Sequence, residues 1–175
     1  YAVVEKSDMV FIPDPDTAVI DPFCSIPTLS MTGNAMIIDN PQNRPLAQYP
    51  RNIVLAAEKY MADCGVADTM LILPEFEFYL FDQVGWNVSA DNVSAFVDAK
   101  QSYWNSSVAD DGVIVPKQKN YHIAKPFDVT YECRSEMCLH MKDAGIDINY
   151  HHPEVAASGQ FEIEPQLGKM SKMAD

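Results

Sequence analysis

The stretch of sequence with the clearest structural pattern is Leu73-Pro74-Glu75-Phe76-Glu77-Phe78-Tyr79-Leu80-Phe81-Asp82. It follows Met70-Leu71-Ile72, and an apolar run of this kind is typical of a buried β-strand. Side chains alternate between the two faces of a strand, so Glu75, Glu77 and Tyr79 are expected to share one face. The two carboxylates would then lie roughly 6–7 Å apart along the strand.

Two carboxylates on one face of an apolar strand are unfavourable unless a positive charge neutralises them. A divalent cation is the natural candidate, because carboxylate oxygens suit Mg²⁺ or Mn²⁺. The alternative is a solvated strand edge that carries two exposed glutamates. The pattern of this one stretch leaves both interpretations open.

Composition bounds the kind of protein and its partners. The chain has 175 residues, of which 47% are hydrophobic and 21% charged, enough for one domain or parts of two. A net charge of −13 argues against nucleic acid or an anionic membrane as a direct partner. Nucleotides stay possible, because bound Mg²⁺ can carry the positive charge beside a phosphate.

The same survey predicts a cytoplasmic protein. No apolar run approaches the roughly 18 residues that a transmembrane helix needs. No charged segment followed by an apolar core marks a signal peptide. The four cysteines have no disulfide or metal-site spacing, so we expect reduced thiols.

The first part of the chain is expected to be rich in short strands and loops. Strands are predicted at residues 8–13, 17–20 and 28–38, the last interrupted by Gly33-Asn34, and a linker at 39–50. A helix should run from Pro50 to Cys64 and end at Gly65. The residues at helical spacing on its apolar face are Ile53, Ala56, Ala57, Tyr60, Met61 and Cys64. Residues 82–99 are expected to be irregular, and 101–121 to form a long loop.

The second part is expected to alternate a helix with two strands. The helix should span residues 128–144, with Val129, Cys133, Met137 and Met141 in the core. Strands are predicted at 146–151 and 160–164.

If the strand that carries Glu75 and Glu77 pairs in one sheet with the two strands of this second part, five glutamates converge on one face. They are Glu75, Glu77, Glu154, Glu162 and Glu164. A polynuclear divalent metal site explains such a face. The sequence has no Walker motif and no Gly-x-Gly-x-x-Gly, so a phosphate here would be held by metal.

At these residues the sequence resembles the bacterial type I glutamine synthetases. The resemblance spans nearly the whole chain in the family's order. It is carried by Ser7-Asp8-Met9-Val10, Thr17-Ala18-Val19-Ile20-Asp21-Pro22-Phe23, Pro50-Arg51-Asn52-Ile53, Pro74-Glu75-Phe76-Glu77-Phe78, Trp104-Asn105-Ser106, Arg134-Ser135-Glu136-Met137, His151-His152-Pro153-Glu154-Val155-Ala156 and Gly159-Gln160-Phe161-Glu162-Ile163.

The resemblance implies an α+β fold in two parts. Residues 1–42 would be the end of an N-terminal β-grasp domain. Residues 43–175 would begin the catalytic domain, a curved antiparallel sheet with flanking helices. It also implies a homo-oligomer, a dodecamer of two hexameric rings whose active sites lie between neighbouring subunits.

The resemblance further implies an ATP-dependent ligase that forms L-glutamine from L-glutamate and ammonium through γ-glutamyl phosphate. Two or more Mg²⁺ or Mn²⁺ ions would serve each site of this enzyme of nitrogen assimilation. Glu77, Glu154 and Glu162 would hold the first metal, and Glu75 would hold the second. Asp8 would lie near the ammonium site of the adjoining subunit.

For three residues the pattern alone favours or equally allows a structural role. Asp8 can bond its own turn at a strand start. His151 and His152 can be packed histidines or can act directly at the metal. Among departures from the family pattern, Asn149 replaces a glutamate that contacts nucleotide, and Glu164 adds a carboxylate.

The remaining metal ligands and the substrate-binding arginines of the family would lie beyond Asp175. A polypeptide limited to these residues is therefore expected to form no glutamine. Two alternatives to the ligase remain: a γ-glutamyl ligase for another amine such as a polyamine, and a non-catalytic ring-forming relative. Retention of all four metal-binding glutamates argues against the second.

Overall fold

Two units make up the fold, one from residues 1–74 with 167–175 and the other from residues 75–166. The computed structural model describes residues 8–39, 41–104 and 114–175. Among these residues, none of the helices has the length and hydrophobicity of a transmembrane segment. The domain boundary predicted at residue 42 stays a prediction.

The first unit combines small antiparallel sheets with helices. One sheet has the order β1-β4-β5, a second pairs β2 with β3, and a third pairs β6 with β12. The elements are β1 (Met9–Pro13), a 3-10 helix (Pro15–Thr17), β2 (Val19–Ile20), β3 (Leu29–Ser30), β4 (Gly33–Ile37), β5 (Arg44–Pro45), α1 (Pro50–Asp63), β6 (Leu71–Ile72), β12 (Gly168–Lys169) and α3 (Met170–Ala174).

Polar side chains of its first turn anchor α1. Pro50 suits the first helical position, and Gly65, at φ +65°, follows the C-terminus. Asn52 is buried and donates to the carbonyl oxygens of Ala35, at 2.8 Å, and Leu46, at 3.0 Å. Arg51 bonds Asp14 and Asp175, and its guanidinium lowers the pKa of the Asp14 carboxyl. The predicted helix is therefore confirmed within a residue or two.

The second unit is built on a three-stranded antiparallel sheet. The strand order is β10-β11-β7, so β11 is central, and all six of its residues are buried. Helix α2 packs against β10, and the unit also contains the hairpin β8–β9. The elements are β7 (Phe76–Tyr79), β8 (Gln83–Val88), β9 (Val93–Asp98), α2 (Tyr131–Asp143), β10 (Ile148–Pro153) and β11 (Gln160–Pro165).

A buried ion pair fixes α2 in this unit. Arg134 is 1% exposed and donates to Asp128 Oδ1 at 2.9 Å and Oδ2 at 2.5 Å. Its Nε–H donates to His151 Nδ1 on β10 at 3.2 Å. Its guanidinium carbon also lies 4.5 Å from the ring centroid of Phe161 on β11. One side chain thus joins the helix to two strands of the sheet.

Three predictions about strands are wrong. Residues 82–99, expected to be irregular, form the hairpin β8–β9, because Val84, Trp86 and Val88 alternate with polar neighbours. Gly33 and Asn34 lie inside β4, and the break falls before them. The predicted buried strand is split by Pro74 into β6 and β7, and β7 is an edge strand whose Phe76 is 53% exposed.

The predicted apolar faces of the helices are also corrected. Ile53 and Tyr60 of α1 are 52% and 72% exposed, and Val129 and Cys133 are exposed as well. The helix predicted from residue 128 begins at Tyr131 and buries Arg134 instead. The one buried residue of each helix is polar, Asn52 in α1 and Arg134 in α2, and hydrophobic periodicity does not detect such a residue. Residues 105–113, which include Asn105 and Ser106 of the resemblance and the middle of the loop predicted at 101–121, lie outside the described residues.

Candidate functional site

A cavity of about 480 Å³ opens on one face of the β10-β11-β7 sheet. This volume falls within the range of ligand and cofactor sites, roughly 300–1,000 Å³. All five glutamates singled out in the sequence line it. The lining residues are Glu75, Glu77, Tyr121, Tyr150, His152, Glu154, Val155, Glu162 and Glu164.

The register of the three strands sets this face. His152 on β10 lies opposite Glu162 on β11, and Glu162 lies opposite Glu77 on β7. Tyr150 lies opposite Glu164 in the same way. Residues directly opposite each other in antiparallel strands project from the same face. The pairing therefore places an imidazole and two carboxylates in one row across the sheet, with a tyrosine and a carboxylate beside it.

The turn between β10 and β11 positions Glu154. Its backbone N–H donates to the carbonyl oxygen of Gln160 at 2.8 Å, which closes the turn. Buried Asn120 donates to the carbonyl oxygens of both Glu154 and Gln160 at 2.9 Å. Gly159 has a φ of +89°, and a Cβ there would lie 2.5 Å from the carbonyl oxygen of Leu80. These contacts explain the spacing of eight residues between Glu154 and Glu162.

A side-chain bond from the same turn holds Glu77. Gln160 Nε2 donates to Glu77 Oε2 at 2.8 Å, and Gln160 Oε1 accepts from the Ala156 N–H at 2.7 Å. The amide of Gln160 is thus fixed in one orientation, with its NH₂ toward the carboxylate. One oxygen of Glu77 is held against the turn as a result.

The cavity is strongly negative. Glu154, Glu162 and Glu164 are 8%, 6% and 4% exposed. Burial, the carboxyls of Glu154 and Glu164 and the negative charge of Glu75 raise the pKa of Glu162 to about 8. Among the residues that the structure describes, no Lys or Arg lines the cavity. A cation is the ligand that this electrostatic environment favours.

Two groups of side chains place their ligand atoms close enough to share an ion. In each group these atoms lie within 4.8 Å of one another. One group is His152, Glu154 and Glu162, and the other is Glu75, Glu162 and Glu164. Carboxylate oxygens with at most one imidazole suit Mg²⁺ or Mn²⁺, so the donor set fits such ions. Glu162 belongs to both groups, and Glu77 belongs to neither.

His152 presents a free ring nitrogen to this cluster. Its Nδ1 lies 3.0 Å from the carbonyl oxygen of Pro153, and because a carbonyl only accepts, this contact puts the proton on Nδ1. In the neutral ring Nε2 is then the nitrogen with the lone pair, and it lies 3.6 Å from Glu162 Oε2. The ring stacks on His122, with centroids 4.1 Å apart, and this stacking helps to fix its plane.

His151, next in sequence, has a different environment. Strand alternation turns it away from the cavity, toward Arg134. Burial and the charge of Arg134 lower the pKa of its imidazole. The two histidines therefore separate into a packed one, His151, and one at the cavity, His152.

Tyr150 bonds the glutamate opposite it. Its hydroxyl donates to Glu164 Oε1. This bond, burial and the charges of Glu164, Glu162 and Glu75 raise the pKa of the phenol to about 12. Tyr150 is thus a neutral hydrogen-bond donor at ordinary pH.

The structure brings together the four glutamates predicted to bind metal. Asp8, the predicted catalytic residue, lies in the other unit, where its side chain is exposed and its carbonyl oxygen accepts from the Ile38 N–H at 3.4 Å. Its role, like the metal-binding roles, stays a prediction. Sequence reasoning did not select Tyr150 or Tyr121, and it left His152 undecided. Strand alternation along β10 is the signal that could have grouped Tyr150 with His152.

Comparison with known proteins supports the resemblance. A family model described as the glutamine synthetase catalytic domain matches residues 47–175. The glutamine synthetase of Pasteurella multocida is 38% identical over 179 residues, covering 100% of this chain and 38% of the relative. A protein named 3-hydroxylaminophenol mutase, from Cupriavidus pinatubonensis, is 35% identical over 176 residues, covering 98% of this chain and 37% of the relative.

A solved structure shows the same fold. The glutamine synthetase of Plasmodium falciparum, determined by cryo-electron microscopy, matches with a TM-score of 0.77 and 22% identity. The match covers 99% of this chain and 36% of the other. The chain thus spans little more than a third of the length of the relatives it matches. Since the family model covers most of its residues, the chain belongs to the glutamine synthetase family.

Proposed function

We propose that this protein is an ATP-dependent glutamate–ammonia ligase that makes L-glutamine for nitrogen assimilation. The observation that carries the proposal is the set of five glutamates around one cavity in a chain of this family. A non-catalytic relative has no need to keep buried carboxylates together, because their mutual repulsion costs stability.

The reaction has two steps. A γ-carboxylate oxygen of L-glutamate attacks the terminal phosphorus of ATP, giving γ-glutamyl phosphate and ADP. Ammonia then attacks the carbonyl carbon of the γ-glutamyl phosphate and loses a proton, and phosphate leaves with the oxygen it received from glutamate. The first step needs positioning and charge neutralisation at the phosphate oxygens.

The chain's carboxylates would hold the ions for that step. Glu77, Glu154 and Glu162 are proposed as ligands of one Mg²⁺ or Mn²⁺ ion and Glu75 as a ligand of a second. When bound, the ions neutralise phosphate oxygens and orient the transferring group. Gln160 fixes one oxygen of Glu77, and the Val155 N–H donates to Glu154 Oε1 at 2.8 Å, so both carboxylates are oriented before any ligand arrives.

The negative cavity also suits the amine substrate. It attracts NH₄⁺, and a carboxylate can take the proton that must leave before nitrogen attacks. Asp8 is proposed to contribute to this step from a neighbouring subunit. The proposal includes the homo-oligomer, a dodecamer of two hexameric rings, a β-grasp domain ending near residue 42, and a cytoplasmic location.

The experiment measures glutamine formed from glutamate, ammonium and ATP by the protein expressed from its complete reading frame. Glu77→Gln should reduce the rate by about 100-fold or more, because it removes a ligand charge from the cavity. Glu136→Gln, at an exposed position on α2, is the matched control and should leave the rate unchanged. The wild-type rate should require Mg²⁺ or Mn²⁺.

Two outcomes would contradict the proposal. No glutamine from the wild-type protein at saturating ammonium, with turnover when a polyamine replaces ammonium, would indicate the other γ-glutamyl ligase. A Glu77→Gln variant that forms glutamine at the full wild-type rate would show that the cavity takes no part in the reaction.

A further inference from the structure

Glu164 is a buried carboxylate that the proposed reaction leaves without a role. It lies on the central strand β11, is 4% exposed and lines the cavity with the other glutamates. Its oxygens come within 4.8 Å of ligand atoms of Glu75 and Glu162. A carboxylate at this depth is costly unless its charge is matched.

Hydrogen bonds from residues other than glutamate reach Glu164 but not every carboxylate beside it. Glu164 Oε1 accepts from the Tyr150 hydroxyl. Glu162 is 6% exposed, and among the described residues its side-chain hydrogen-bond partners are only the carboxyls of Glu154 and Glu164. His152 Nε2 lies 3.6 Å from Glu162 Oε2, which is beyond hydrogen-bond distance. Glu162 is thus a buried side chain that lines the cavity and whose only side-chain partners there are other carboxyls, which points to a cation at this place.

We propose that Glu164 is a third carboxylate ligand, with Glu75 and Glu162, of one divalent cation, and that the Tyr150 hydroxyl orients it. The inference rests on the proposed function in one respect, the use of Mg²⁺ or Mn²⁺. It adds Glu164 to the second ion and makes Glu162, already proposed for the first ion, a ligand shared by both. For the second ion the family resemblance supplies only Glu75 in this chain.

The strand register explains how Tyr150 acts. Tyr150 and Glu164 are directly opposite each other on β10 and β11, so the phenol reaches the carboxylate without a change in the backbone. Its hydroxyl binds one oxygen and leaves the other available to an ion. Hydrogen-bond partners of this kind fix the orientation of a metal ligand, and their loss weakens binding by roughly 10–100-fold. Tyr150 is therefore a positioning residue.

The test is calorimetric titration with Mn²⁺ of the protein expressed from its complete reading frame, without nucleotide or glutamate. Glu164→Gln should weaken one class of Mn²⁺ site by about 100-fold, and Tyr150→Phe should weaken the same class by about 10-fold. Glu136→Gln is again the exposed control and should bind like the wild type. Wild-type affinity in Glu164→Gln would overturn the inference.

A second readout excludes misfolding as the cause. In EDTA, Glu164→Gln should raise the melting temperature, because it removes one of several crowded negative charges and keeps an acceptor for Tyr150. In saturating Mn²⁺ the variant should gain less stabilisation than the wild type. A damaged fold would lower the melting temperature in EDTA, and that result, together with an unchanged Mn²⁺ gain, would count against the inference.

The outcomes separate this inference from the proposed function. Glutamine formation with normal Mn²⁺ binding by Glu164→Gln overturns the inference alone. Weakened Mn²⁺ binding by Glu164→Gln in a protein that makes no glutamine overturns the proposed function alone. A wild-type protein that binds no Mn²⁺ at millimolar concentration overturns both.

Discussion

Replacement of Arg134 by Met tests how the candidate site is supported. Arg134 has four polar contacts, at 2.9 and 2.5 Å to Asp128, 2.8 Å to Thr130 Oγ1 and 3.2 Å to His151 Nδ1. The side chains of Arg134 and Asp128 are 1% and 3% exposed. Methionine keeps most of the length and apolar volume of arginine, so the main loss is the charge and its hydrogen bonds.

The expected cost is about 3–5 kcal/mol of unfolding free energy, because Asp128 is left as a buried charge without a partner. Lys59→Met is the control, since Lys59 and Asp63 form an exposed pair, 74% and 60% accessible, of a type worth at most ~0.5 kcal/mol. The double variant Asp128→Asn/Arg134→Met should regain part of the loss, because no charge then remains buried.

Urea unfolding, followed by circular dichroism, measures these differences in the protein expressed from its complete reading frame. The reasoning predicts the order Lys59→Met, then the double variant, then Arg134→Met, from least to most destabilised. A loss in Arg134→Met no larger than that in Lys59→Met would refute it. The outcome also concerns the site, because Arg134 contacts both β10 and β11, the strands that carry His152 and Glu162.

Three further predictions follow from local features. In EDTA the pKa of Glu162 in the folded protein is about 8, against 4.5 for the free side chain. The contribution of Glu162 to stability should therefore be fully present below pH 4.5 and should be lost as pH rises toward 8. Glu162→Gln or saturating Mg²⁺ should flatten that slope in thermal melts, and a flat wild-type profile in EDTA would contradict the assignment. Gly159→Ala should lower stability by about 1–3 kcal/mol in the same melts, because alanine is strained at φ +89° and its Cβ would meet the Leu80 carbonyl. An unchanged melting temperature would show that the turn adjusts to alanine. A polypeptide limited to residues 1–175 should form no glutamine, since these residues span only 38% of the length of a related glutamine synthetase, and turnover by that polypeptide would show otherwise.

Much of the second unit could be predicted from the sequence because its signals are local. The C-terminal glycine of α2 and the alternation along β10 and β11 appear within a few residues, and the structure confirms these elements with shifts of a few residues. The hairpin β8–β9 was missed, although Val84, Trp86 and Val88 alternate with polar neighbours, because its two strands are short, largely exposed and lie in a segment that is polar as a whole. The edge position of β7 depends on which strands pair, and strand pairing is not a local property.

The residues of the candidate site also include some that the sequence predicts and some that it does not. The glutamates could be grouped because each lies on or beside a predicted strand, and pairing of those strands brings them to one face. His152 and Tyr150 could not be assigned to that face, because this requires the register that places them opposite Glu162 and Glu164. The proton on Nδ1 of His152 depends on a contact with the Pro153 carbonyl, which only a three-dimensional structure reveals.

The most direct test of the account follows an oxygen atom from glutamate to phosphate. Glutamate carrying oxygen-18 in its γ-carboxylate is incubated with ATP, ammonium, Mg²⁺ and the protein expressed from its complete reading frame, and the released phosphate is analysed by mass spectrometry. The account predicts one labelled oxygen in each phosphate, phosphate equal in amount to glutamine, and loss of both products in Glu77→Gln. Phosphate without label would mean that ATP is hydrolysed by water and that the carboxylate cavity does not activate glutamate.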